Sequence, residues 1–138
     1  MDNKAIGLAI MLACTGIAQA QTGMTVDWTW TRADKCSSSS PAIKVTGIPA
    51  EAKVLRVKLA DHDAPAFNHG GGEVPHGGGD SAAITAGALK DYTGPCPPNF
   101  GSFGHDYGFT VQAIGADGKT VLGSGSATKN FSAKSVPN

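Results

Sequence analysis

The sequence has no excess of charge of either sign. It contains 11 basic and 11 acidic residues among 138, and its formal net charge is zero. A protein that binds nucleic acid through the phosphates needs a basic patch or stripe, so this composition argues against that class. The same balance argues against an acidic disordered tail. Apolar residues make up 41% of the chain, which is enough to bury the core of one ordinary domain.

Long apolar runs are also lacking. The longest, over residues 5–17, is shorter than the roughly 20 residues that a membrane-spanning helix needs. It follows the basic Lys4 and precedes the small-residue segment Ala18-Gln19-Ala20, and this order is typical of a secretory signal peptide. We therefore predict a signal peptide over residues 1–20 and an exported protein, periplasmic or extracellular, with no stable membrane insertion.

Cysteine is rare, with 3 residues in the chain. Cys14 falls inside the predicted signal peptide, and lipoprotein processing at this residue is the alternative to cleavage after Ala20. The predicted mature chain, residues 21–138, then keeps Cys36 and Cys96, an even number in an oxidising compartment. We predict that these two cysteines form a disulfide; the alternative is two separate buried thiols.

No amphipathic helix of ten or more residues is evident in residues 21–138, and alternation of apolar and polar residues predicts strands instead. In the first of them Met24, Val26, Trp28 and Trp30 share one face, which predicts that both tryptophans belong to the core. The predicted strands are Thr22–Thr31, Ala42–Thr46, Lys53–Ala60 and Tyr107–Ile114, with shorter segments at Thr120–Gly123 and Ala127–Phe131. The pattern indicates one all-β domain of two packed antiparallel sheets.

Turn-forming residues concentrate in two places. Asp117-Gly118 is a hairpin signal. Residues 61–79 are rich in glycine and hold three of the four histidines, and we predict an irregular loop there; such long loops are often functional. Residues 81–88 have no pattern that assigns them.

Polar pairs at strand ends are the candidate site. Asp61 and Asp63 lie two apart at the end of a predicted strand, so an extended chain points both to one side and His62 to the other. His105 and Tyr107 share a side at the start of another strand. Two such pairs predict a shallow ligand pocket, and the alternative is that the aspartates only cap a turn.

Three short segments resemble motifs of the phosphatidylethanolamine-binding protein family. Residues 61–65, 94–98 and 104–107 read D-H-D-A-P, G-P-C-P-P and G-H-D-Y, similar to the family's D-P-D-A-P, G-P-x-P-P and G-x-H-R-Y in the same order. The resemblance covers about Ser40 to Ile114. It implies a mainly β fold, with a large antiparallel sheet packed on a smaller one, and a pocket that binds small anions or phospholipid head groups.

Carried over position by position, the resemblance implies a non-catalytic protein without a cofactor. Its partner would be a small anionic or zwitterionic ligand, and some family members also dock on other proteins. The sequence departs from the family at His62 and Asp106, which replace a proline and an arginine, and we expect no C-terminal helix after Phe131. The implied ligand-binding residues are Asp61, Asp63, His69, Pro97, His105 and Tyr107.

Two alternatives from other classes stay open. The four histidines, with Asp61, Asp63 and Glu73, supply ligands suited to Zn²⁺ or Cu²⁺, although no H-x-H, H-E-x-x-H or C-x-x-C spacing is present. The second is a protein-interaction or inhibitor domain that uses Gly70–Gly79. An enzyme is weakly supported, because G-S-G-S at 123–126 is not a nucleophile elbow. The paired carboxyls alone are compatible with glycosidase chemistry.

Overall fold

The computed structural model describes residues 22–138. The predicted signal peptide and Cys14 lie outside the described residues. Residues 22–138 form two β-sheets that pack together and one short 3-10 helix, Arg32–Asp34. Within this range there is no α-helix, and therefore none long and apolar enough to cross a membrane.

The larger sheet has six strands in the order β1-β9-β8-β4-β5-β7, and the smaller has three in the order β2-β3-β6. All pairings are antiparallel except the two-residue pairing of β1 with β9. The strands are β1 (Thr22–Gly23), β2 (Thr25–Trp28), β3 (Ile43–Thr46), β4 (Val54–Asp61), β5 (Gly70–Pro75), β6 (Ser81–Ile84), β7 (Asp91–Tyr92), β8 (His105–Ile114) and β9 (Val121–Phe131). The predicted fold class, a large antiparallel sheet packed on a smaller one, is confirmed.

The core lies between the two sheets and is rich in aromatic rings. Trp28 and Trp30 are both buried, as the alternation predicts. The Trp28 ring meets the Phe109 ring edge-on with centroids 4.9 Å apart, and Trp30 packs edge-on against Phe131 at 5.5 Å. Such edge-to-face pairs add to the stabilisation that burial of the rings supplies.

The β8–β9 hairpin turns at Asp117-Gly118, as predicted, but β9 is one continuous strand where the sequence predicted two short segments. Its middle, residues 123–128, is G-S-G-S-A-T, which has no apolar alternation to reveal a strand. Gly125 lies against the backbone of Met24, and a Cβ at Gly125 would be 2.2 Å from the Met24 carbonyl oxygen. Glycine is therefore needed at position 125 for this close approach.

The prediction that residues 61–79 form an irregular loop is wrong over much of its length. Residues 70–75 are strand β5, which pairs with β4 on one side and β7 on the other. Gly70 has φ +65°, and a Cβ there would lie 1.7 Å from the Asp91 carbonyl oxygen. Glycine is therefore required by a close approach of two strands rather than by a flexible loop. The unassigned residues 81–84 are strand β6.

The disulfide between Cys36 and Cys96 is confirmed, with Cα atoms 4.5 Å apart. It joins the loop after the 3-10 helix to the proline-rich segment 94–98. The Cys36 backbone N–H also donates to the Pro95 carbonyl oxygen at 2.7 Å. The segment is therefore held by both a covalent and a hydrogen-bonded contact.

Candidate ligand cavity

The register of β4 against β8 brings Asp61 close to His105 and Tyr107. The two strands pair over their whole common length, and the last pair places Asp61 opposite Tyr107. Asp61 follows Leu59 on the buried face of β4, so its carboxylate points inward where the strand ends. His105 lies two residues before Tyr107, on the same side.

Asp61 is 4% exposed, and both of its oxygens accept hydrogen bonds. Oδ1 accepts from the backbone N–H groups of Asp63 at 2.9 Å and Ala64 at 3.0 Å, and Oδ2 accepts from Nδ1 of His105 at 2.8 Å. Burial raises the pKa of Asp61, but these hydrogen bonds outweigh it and leave the pKa below its ordinary value. Asp61 is therefore a buried carboxylate at neutral pH.

His69 faces the same carboxylate from the start of β5. It is 3% exposed, its Nδ1 donates to the Thr93 carbonyl oxygen at 2.8 Å, and its Nε2 lies 3.8 Å from Oδ2 of Asp61. A neutral imidazole has one donor and one acceptor nitrogen. In the neutral ring with its proton on Nδ1, Nε2 presents a lone pair towards Asp61.

Tyr107 closes the inner side of the site and is 1% exposed. Burial raises the pKa of its hydroxyl, and the negative charge of Asp61 raises it further. The hydroxyl is therefore neutral across the physiological range.

These groups surround a cavity of about 200 Å³. Four of its side chains are aromatic rings, the imidazoles of His69 and His105, the phenol of Tyr107 and the phenyl ring of Phe67. Within the part of the chain that the structure describes, no lysine or arginine lines it. The lining residues are Asp61, Ala64, Phe67, His69, Cys96, Pro98, His105 and Tyr107.

Four of the six predicted ligand residues line the cavity, namely Asp61, His69, His105 and Tyr107. Asp63 is exposed beside it. Oδ2 of Asp63 accepts from the Asp106 backbone N–H at 2.7 Å, and a ligand atom of Asp63 lies within 4.8 Å of one from Asp61 and one from His105.

The sixth predicted residue, Pro97, does not line the cavity. Its neighbours Cys96 and Pro98 do, and Pro97 is buried. Because the side chains on either side face the cavity, the ring between them turns into the interior. The segment that carries the motif therefore contributes Cys96 and Pro98 to the cavity wall.

The other two histidines lie elsewhere. His62 points to the opposite face of the sheet, as predicted, where its Nε2 lies 3.2 Å from the Thr128 hydroxyl. The His76 backbone N–H donates to the carbonyl oxygen of Lys53. Lys53 lies eight residues before Asp61, at the opposite end of β4, which corresponds to roughly 25 Å in an extended strand. His76 is therefore far from the Asp61 carboxylate. The four histidines therefore do not converge on one ion.

The residues that sequence reasoning left out of the ligand set are Ala64, Phe67, Cys96 and Pro98. All four lie in or next to the segments that carried the motifs. Phe67 gave a usable signal, because it is an aromatic residue two positions before a predicted ligand histidine. Its ring centroid lies 4.6 Å from that of His69.

Comparison with known proteins adds no family assignment. The sequence matches no protein-family model, and no curated protein is significantly similar to it. The resemblance to the phosphatidylethanolamine-binding family therefore rests on the three motifs and remains a prediction.

Proposed function

We propose that this is an exported protein of the phosphatidylethanolamine-binding type, which reversibly binds a small polar ligand and catalyses no reaction. The observation that supports it is the meeting of Asp61, His69, His105 and Tyr107 around one cavity. These residues come from separate segments, and the resemblance implied all four as ligand residues. The disulfide is compatible with export, because disulfides persist in oxidising compartments.

The chemistry of the cavity suits binding better than catalysis. Covalent catalysis needs a nucleophile activated by an adjacent base. The only sulfur in the lining belongs to Cys96, which is held in the disulfide. The oxygens of Asp61 accept three hydrogen bonds, which position the turn at residues 61–64 and the ring of His105. A small zwitterionic or singly charged ligand, such as a phospholipid head group, is the class we propose.

The test is an NMR titration with phosphorylethanolamine that follows the backbone amides and histidine rings. We expect shifts at Asp61, His105 and Tyr107. His105→Ala removes a charge-assisted contact, so affinity should fall about tenfold, while the matched variant His62→Ala, on the opposite face, should bind as the wild type does. Unchanged affinity in His105→Ala would show that the assignment is wrong.

A divalent metal site is the second candidate function. Asp61, Asp63 and His105 each offer a ligand atom, and these atoms all lie within 4.8 Å of one another. Imidazole nitrogen and carboxylate oxygen suit Zn²⁺. Isothermal titration with Zn²⁺ at micromolar protein should then give a saturable heat that Asp63→Asn abolishes. No heat in the wild type would remove this candidate.

A further inference from the structure

We infer that the cavity binds the positively charged end of its ligand, a small primary or quaternary ammonium group, in preference to an anion. The inference rests on the proposed function and specifies the ligand class of the same cavity. It is carried by three features of the described residues, namely the charges around the cavity, its hydrogen-bond acceptors and its rings.

The charges around the cavity are negative. Asp61 is a buried carboxylate in its wall, and the exposed Asp63 lies beside it, with a ligand atom within 4.8 Å of one from Asp61. No lysine or arginine lines the cavity in residues 22–138. Water screens a pair of charges less effectively inside a protein than in solution, so a phosphate here would be repelled by Asp61 and an ammonium ion attracted.

The hydrogen-bonding groups have the same preference. Nδ1 of His69 donates to the Thr93 carbonyl and Nδ1 of His105 donates to Asp61. In neutral rings this leaves both Nε2 atoms as acceptors. Acceptor nitrogens beside a carboxylate can accept hydrogen bonds from the N–H groups of an ammonium ligand. They would repel the oxygens of a phosphate, which are also acceptors.

The rings form a connected wall suited to a cation. Ring centroids lie 4.6 Å apart for Phe67 and His69, 5.3 Å for His69 and Tyr107, and 6.2 Å for His105 and Tyr107. Phe67 is 55% exposed although it lines the cavity. Cations bind over the faces of aromatic rings, and cages of rings are used to bind quaternary ammonium groups.

The size of the cavity limits the ligand. Sites for drug-sized molecules occupy about 300 to 1,000 Å³, whereas this cavity has about 200 Å³. It therefore suits an ammonium group with a few carbon atoms, such as ethanolamine or a trimethylammonium head.

The experiment compares four probes by NMR titration at pH 7.5 and low salt: tetramethylammonium, ethanolamine, inorganic phosphate and phosphorylethanolamine. We expect both ammonium probes to shift the signals of His105 and Tyr107. Phosphate should bind at least tenfold more weakly than either. Added salt should weaken ammonium binding, because salt screens charge attraction.

Two variants with matched controls test the features separately. Phe67→Leu should weaken tetramethylammonium binding about threefold, the scale of an exposed cation–π contact, while Phe103→Leu, at an exposed phenylalanine outside the cavity, should leave it unchanged. Asp63→Asn should weaken it about threefold by removing one nearby charge. Asp80→Asn removes an equal charge next to β6, in the smaller sheet, and should have no effect.

Failure of the inference and failure of the proposed function give different results. If phosphate binds more tightly than both ammonium probes, the inference is overturned and the proposed function stands. If no probe shifts the cavity signals, both are overturned. Equal affinities of Phe67→Leu and Phe103→Leu for tetramethylammonium would overturn the assignment of the ring wall.

Discussion

Asp61 and Asp117 begin the same local structure at opposite ends of β8. Each uses Oδ1 to accept the backbone N–H groups two and three residues ahead, those of Asp63 and Ala64 in one case and Lys119 and Thr120 in the other. Hydrogen bonds of this kind make aspartate common in turns. The pKa of both carboxyls is lowered, that of Asp117 to about 2.

The two aspartates differ in the second oxygen. Oδ2 of Asp117 accepts from the Thr120 hydroxyl within the same turn, and Asp117 is exposed. Oδ2 of Asp61 accepts from His105, 44 residues away, inside a cavity. Asp61 is therefore a candidate site residue because strand register brings a distant partner, His105, to its second oxygen, whereas the second oxygen of Asp117 is bonded within its own turn.

Loss of the disulfide should reduce stability most. Cys96, one of its two cysteines, lines the same cavity as Asp61. Replacing Cys36 and Cys96 together by serine should lower the free energy of unfolding by about 4 kcal/mol, because the disulfide closes a loop of 60 residues. Denaturant unfolding measures the loss. Hydrogen exchange should show faster opening around residues 94–98 than at the Asp117 turn. Equal acceleration at both ends would contradict the difference between them.

Glycine substitutions at the two ends should have the next largest effects on stability. Gly70 and Gly118 have similar φ values, +65° and +71°, but a Cβ at Gly70 would lie 1.7 Å from a carbonyl oxygen, and one at Gly118 meets nothing within 4 Å. Gly118→Ala should therefore cost about 1 kcal/mol for the backbone conformation alone. Gly70→Ala should cost about 3 kcal/mol because the strands must also move apart.

Thermal and denaturant unfolding of both glycine variants measure these costs. A cost at Gly70 no larger than at Gly118 would show that β5 can shift without loss. Because His69 directly precedes β5, its distance from Asp61 would then not be fixed by the strand.

Asparagine variants of the two aspartates compare the carboxylates directly. Asp61→Asn should cost about 2 kcal/mol at pH 7, since it weakens charge-assisted hydrogen bonds in a buried setting. Asp117→Asn should have a smaller effect because the group is exposed.

The pH dependence of the same variants follows from the lowered pKa values. A lowered pKa in the folded state means that each carboxylate stabilises the protein fully above its unfolded pKa of about 3.9. That stabilisation is lost as the pH falls through the folded value. Unfolding measured from pH 6 to pH 2 should therefore show a smaller acid loss in Asp61→Asn than in the wild type. An identical acid loss would contradict the assigned role of Asp61.

The smallest expected effect is at His62, which lies between the two aspartates of the motif but on the other face of the sheet. His62→Ala should change the free energy of unfolding by about 0.5 kcal/mol or less, as is usual at the surface. Loss of ligand binding in this variant, measured by the same NMR titration, would mean that the motif acts as a unit rather than through one face.

Much of the fold was predictable because alternation reports burial. The core face of Met24, Val26, Trp28 and Trp30 and the hairpin at Asp117-Gly118 follow from local pattern. Strand β5 was not predictable, because its glycines read as a loop and its pairing depends on β4 and β7. The middle of β9 was not predictable either, because its small residues show no alternation. Close packing against Met24 requires glycine at position 125.

For the candidate site, the amino-acid sequence was enough to predict which chemical groups lie at the strand ends and, through the two-residue period of a strand, which of them share a face. It also determined that Cys36 and Cys96 were available for a disulfide. Long-range packing determines that Asp61 pairs with Tyr107, that His69 reaches the same carboxylate, and that Cys96 and Pro98 rather than Pro97 line the cavity. The physical reason is that direction along a strand is a local property, whereas register and close approach depend on partners distant in the chain.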